Sequence, residues 1–82
     1  MNNASIRAIV LSTLREIAPE IEPQVLRPDR PLRREVDLDS MDWLRFLLAL
    51  HEKLKVEIPE SDYGRLVTLD DVVSYLEAAA TR

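Results

Sequence analysis

Apolar residues in the first stretch of the chain recur at the spacing of one helix face. Ile6, Ile9, Val10, Thr13, Leu14 and Ile17 follow the i, i+3, i+4, i+7 pattern. Pro19 ends that pattern, because the residue before a proline is pushed out of helical geometry. The spacing predicts a first helix over about residues 3–18. From Pro19 to Asp39 the period is lost among Pro19, Pro23, Pro28 and Pro31. Val25, Leu26, Leu32, Val36 and Leu38 are spaced like anchors that pin a long loop to a core.

The helical period returns with Met41, Leu44, Leu47, Leu48, His51 and Leu54, and Trp43, Phe46 and Leu50 widen the apolar face. Asp39 is the expected N-cap, with Asp42 three residues on in place of a capping-box glutamate. The second helix is predicted over about residues 40–55, closed by Pro59. One short helical turn fits residues 61–66, with Gly64 as its expected C-cap. Thr68 and Asp71 then look like the cap of a last helix over about 69–79, whose expected stripe is Leu69, Val72, Val73, Leu76 and Ala80. Val56–Ile58 is too short to count as a strand. The expected fold is an all-α bundle in one domain, residues 1–82: three main helices plus one short one, with a long loop between the first and second.

Composition narrows the chemistry. The chain is 46% hydrophobic and 32% charged, has no Cys, and holds one Gly and one His. That excludes a disulfide framework, a Cys- or His-built metal cage and a glycine-rich phosphate loop. No apolar run reaches membrane-span length and no signal-peptide pattern opens the chain, so a soluble cytoplasmic protein is expected. The net charge is −4, unevenly spread. Residues 1–35 carry six arginines against five acids, and residues 36–82 carry five bases against ten acids. Such a domain is repelled by nucleic acid and by anionic membranes, and favours protein partners with basic patches.

Ser40 draws the chemical question. As a nucleophile it would need a base, and the only His is His51. Eleven helical residues place that imidazole about 16 Å away, three turns along. His51 is therefore expected as a half-buried structural residue, and no catalytic residue is assigned. Asp37, Asp39 and Asp42 cluster near the serine, but capping and dipole complementarity account for such carboxylates. Arg27, Arg30, Arg33 and Arg34 make a basic loop, yet a connection of this length does not match a helix-turn-helix corner. A serine in the first helical turn, whose capping role belongs to Asp39, exposes a hydroxyl open to modification. A phosphate ester there would be favoured by the helix N-terminus. The physics of the sequence stops at that point and does not name the modification.

Asp39-Ser40-Met41 resembles the D-S-L attachment motif of the acyl carrier protein family, including the carrier domains of polyketide and peptide synthases. Further matches are Leu47–Leu50, Val56–Pro59 and Thr68–Leu76, at the family's distances over nearly the whole chain. The resemblance implies a carrier, not an enzyme. It implies that Ser40 bears a 4′-phosphopantetheine arm taken from coenzyme A, with Asp39 and Met41 flanking it. The implied partners are a phosphopantetheinyl transferase and acyl-loading, condensing or acyl-transfer enzymes, met through Asp42, Trp43, Arg45 and Glu52 by a monomeric protein in fatty-acid, polyketide or related secondary-metabolite biosynthesis. The alternatives are a helical adaptor without a prosthetic group and, further off, a DNA-binding helix-turn-helix protein.

Several positions depart from the family pattern. Asp37 stands where the family usually has Gly, and is expected to carry left-handed backbone with some strain. Trp43 replaces a small or polar residue, for loop packing or for partner recognition. Arg45, His51, Lys53 and Lys55 interrupt a face that is acidic in generic fatty-acid carriers, which points to a specialised discrete carrier.

Overall fold

The computed structural model describes residues 2–80. Three long helices make the bundle: α1 (Asn3–Ile17), α3 (Ser40–Leu54) and α4 (Leu69–Ala80), with a one-turn helix α2 (Leu32–Glu35) in the long connection. Two 3-10 segments, Pro23–Val25 and Glu60–Arg65, complete the regular structure of the described residues.

Each long helix begins on a side-chain cap. The Asn2 side chain accepts the Ser5 N–H at 2.8 Å, a cap the sequence pattern had not pointed to. Asp39 accepts the Asp42 N–H at 2.8 Å. Thr68 and Asp71 form the expected reciprocal pair, each side chain accepting the other's backbone N–H at 3.0 and 3.1 Å.

α1 packs against both α3 and α4. Ile6, Val10 and Leu14 of α1, Phe46, Leu47 and Leu50 of α3, and Val72, Val73 and Leu76 of α4 are fully buried. Thr13 is buried with them, its hydroxyl donating to the Ile9 carbonyl at 2.7 Å and accepting from Lys53 Nζ at 3.1 Å. Lys53 also pairs with Glu16, so this partly exposed lysine ties α3 to α1. Arg7 joins α1 to the start of α4 through Asp70 at 2.8 Å.

The long connection has more structure than its prolines suggest. The Leu32 N–H donates to the Val67 carbonyl at 2.7 Å, and the Asp70 N–H donates to the Pro28 carbonyl at 3.1 Å. These bonds stitch the connection to the residues that lead into α4. Leu32, Val36 and Leu38 are buried and Leu26 is half-buried, but Val25 is 65% exposed and anchors nothing. Ile21 supplies the buried contact instead. In the basic stretch, Asp29 lies 3.9 Å from the Arg27 guanidinium, and the Glu35 carboxylate accepts the Arg27 backbone N–H at 2.8 Å.

Three local expectations need correction. Gly64 lies inside the second 3-10 segment and has no positive φ, so it is not a left-handed cap. That conformation falls on Lys55, at φ 57° and ψ 39°, where α3 ends. Asp37 is not left-handed either. The Leu38 N–H donates to the Val36 carbonyl at 2.6 Å, a three-residue turn around Asp37, and the negative-φ form of that turn admits any side chain without strain. Ala80 is exposed and does not extend the buried stripe of α4.

Candidate functional site

Ser40 is the first residue of α3 and is exposed. Asp39 before it is extended (φ −81°, ψ 179°) and turns its carboxylate inward onto the Asp42 N–H. With the cap provided by its neighbour, the Ser40 hydroxyl makes no hydrogen bond among the described residues. The serine thus sits on a fixed helix start with its oxygen toward solvent. The first turn of a helix carries partial positive charge and unpaired N–H groups, which suits a phosphodiester at that oxygen. The residues present therefore fit a phosphate-linked prosthetic group.

The single histidine of the chain is engaged away from Ser40. His51 donates from Nδ1 to the Val56 carbonyl at 2.8 Å and so closes the far end of α3. It is half-buried, as its place in the pattern implied. No group of three or more His, Cys, Asp or Glu residues able to hold a metal occurs among the described residues.

Around Ser40 the apolar side chains of α3 divide into two rows. Trp43, Phe46, Leu47 and Leu50 face the core. Met41, Leu44 and Leu48 are 68%, 40% and 56% exposed. The sequence pattern had placed Met41, Leu44 and Leu48 in the buried stripe, and the structure turns them outward. Their i, i+3, i+7 spacing makes a continuous apolar strip that begins beside Ser40. The available signal was quantity: α3 carries more apolar positions than one buried face needs.

The expected recognition residues separate on the same grounds. Arg45 is exposed and lies 3.5 Å from Asp42, while Glu52 is exposed one turn beyond Leu48. Trp43 is only 7% exposed, its ring centroid 5.3 Å from that of Phe46. It therefore lies beneath the outward face and packs on the core side of α3. Of the cations expected to break an acidic face, Lys53 is turned to α1 and His51 to Val56, which leaves Arg45 and Lys55 in solvent.

Comparison with known proteins agrees with this geometry. The sequence pattern of the family described as Phosphopantetheine attachment site matches residues 4–76. An acyl carrier protein of Campylobacter concisus (strain 13826) is 34% identical over 71 residues, covering 83% of this chain and 92% of that protein. One from Helicobacter hepaticus is 32% identical over 74 residues, covering 90% and 91%. The fold is similar to the solution structure of an Anaplasma phagocytophilum protein assigned as an acyl carrier protein. The TM-score is 0.81 at 26% identity, covering 99% of this chain and 92% of that one.

Proposed function

The chain belongs to the phosphopantetheine attachment site family and, within it, to the acyl carrier proteins; from that premise we propose that Ser40 is the residue that bears its arm. Members are carriers and not enzymes, and their prosthetic group is 4′-phosphopantetheine. When bound, that group supplies the thiol that a chain without Cys lacks, and holds an acyl cargo as a thioester. The observation that carries the assignment is the free Ser40 hydroxyl on the capped start of α3. Asp39 fixes that start, and Met41 offers an apolar surface beside the arm.

The partners on this reading are a phosphopantetheinyl transferase and enzymes that load, condense or transfer acyl groups. They would meet the strip of Met41, Leu44 and Leu48, bordered by Asp42, Arg45 and Glu52. An exposed apolar strip rimmed by charge is the usual anatomy of a transient docking face. Arg45 places a positive charge on that rim, which disfavours partners built for an all-acidic face. The protein is read as a monomeric, cytoplasmic, specialised carrier in fatty-acid, polyketide or related biosynthesis. No helix of the described residues is long and apolar enough to cross a membrane, which is compatible with that location.

Incubation with coenzyme A, Mg²⁺ and a promiscuous phosphopantetheinyl transferase tests the assignment. Intact mass spectrometry should find one phosphopantetheine on the wild type and none on Ser40→Ala. A gain that persists in Ser40→Ala would move the attachment elsewhere. For the specialised role, turnover by a generic fatty-acid ketosynthase should fall well below that of a generic carrier, and equal turnover would refute it.

A further inference from the structure

The buried row of α3 begins with Trp43, three residues after Ser40. Residues at that spacing are neighbours on a helix, so the indole adjoins the root of any group on the serine. Its inner side packs on Phe46, and Phe46, Leu47 and Leu50 behind it are closed to solvent. An apolar chain entering the bundle along this row meets the indole first. To pass, it must displace a large aromatic side chain and then overpack a close-packed interior, which is unfavourable.

Outside the core, the indole walls an open cleft of about 220 Å³ with Pro31, Arg33, Tyr63, Leu66 and Val67. Gly64 adds no side chain there, and a Cβ built on it would meet nothing within 4 Å. Pockets that enclose a drug-sized ligand hold about 300–1,000 Å³. The cleft beside Trp43 is smaller, so it covers a short group and leaves the rest of a long one in water.

We infer that Trp43 sets an upper limit on cargo length: acyl groups of a few carbons rest in the cleft beside the indole, and the bundle does not take up a longer chain. The inference rests on attachment at Ser40. It makes this residue a determinant of which cargo is sheltered, in place of a contact for partners.

Trp43 is the only tryptophan, so its indole N–H resonance reports on the cleft without labelling chemistry at the site. The protein is loaded with butyryl- or decanoyl-phosphopantetheine, and each product is checked by intact mass. Butyryl loading should shift the indole resonance relative to the unacylated arm. In the wild type the thermal midpoints of the two acyl forms should agree within about 1 °C. In Trp43→Ala the decanoyl form should melt at least about 5 °C above the butyryl form, because the vacated apolar space lets the longer chain bury methylenes. Trp43→Leu supplies the same comparison, with a smaller gap, if the alanine variant does not fold. An indole that ignores butyryl loading overturns the inference. So does a wild-type midpoint that climbs with chain length as steeply as the variant's, with Leu47 and Leu50 methyl resonances moving. Absence of any mass gain is a different failure, which removes the attachment at Ser40 and this limit with it.

Discussion

Helices α3 and α4 each bury four large apolar side chains, but α3 carries a second apolar row that α4 lacks. In α4, Leu69, Val72, Val73 and Leu76 are all buried, and Asp70, Asp71 and Ser74 face water. In α3, Trp43, Phe46, Leu47 and Leu50 are buried while Met41, Leu44 and Leu48 stay outside. Folding gains less from the second row, since those side chains stay 40–68% exposed. A contiguous apolar strip on a small protein is a candidate surface for another molecule to cover. The two helices thus share the work of the core, but only α3 also presents a face, and that face starts at Ser40.

The largest effects should come from breaking this contrast. Leu76→Ala opens a cavity in the core side of α4 and should cost about 2–5 kcal/mol, enough to unfold much of so small a domain. Leu48→Ala removes the same group from the outer row of α3 and should change stability by less than about 0.5 kcal/mol. The same variant should lower kcat/KM of an acyl-handling partner about tenfold, the loss expected for one interface anchor. Urea denaturation and steady-state kinetics on both variants check the pair. Comparable destabilisation by the two would mean that the outer row belongs to the core after all.

A medium effect separates the two helix starts. Asp39→Ala and Thr68→Ala each remove a side-chain cap and should each cost about 1 kcal/mol. Asp39→Asn keeps an accepting oxygen for the Asp42 N–H and should fold nearly as well as the wild type. It removes a negative charge beside Ser40, so a loading rate about tenfold slower by intact mass would show that Asp39 also guides the transferase. Thr68→Ala, remote in role, should leave that rate unchanged. An Asp39→Asn protein that loads at the wild-type rate would confine Asp39 to capping.

The comparison also explains what could be read from the chain. Helix positions were legible because Pro19, Asp39, Pro59 and Thr68 punctuate a clear 3.6-residue period. The capped, exposed start of α3 at Ser40 was legible because Asp39 takes the capping role. The orientation of α3 was not, since Met41, Leu44 and Leu48 compete with Trp43, Phe46 and Leu50 for the inner face. Periodicity fits either row, and packing against α1 decides. The pairing of Lys53 was not legible for a similar reason, as its partners Thr13 and Glu16 lie about forty residues away in sequence. The turn at Asp37 was expected to be left-handed because a glycine usually stands there, yet the chain closes a tighter turn that needs none.

The smallest effect concerns the end of α3 opposite Ser40. Lys55 holds a left-handed conformation that costs an L-residue about 1–2 kcal/mol relative to glycine. Glycine there removes that steric cost but adds about 0.5–1 kcal/mol of backbone entropy to the unfolded chain. The difference favours Lys55→Gly by about 0.5 kcal/mol, a slight rise in the urea midpoint at unchanged slope. His51 holds the following residue through the Val56 carbonyl, so the turn keeps its shape in the variant. Loading at Ser40 should be unaffected, because the change lies a whole helix length away and touches neither row near the serine. Should Lys55→Gly instead lower the midpoint, the chain at 55 would not be left-handed in solution. The end of α3 would then be held by the lysine side chain and not by the turn.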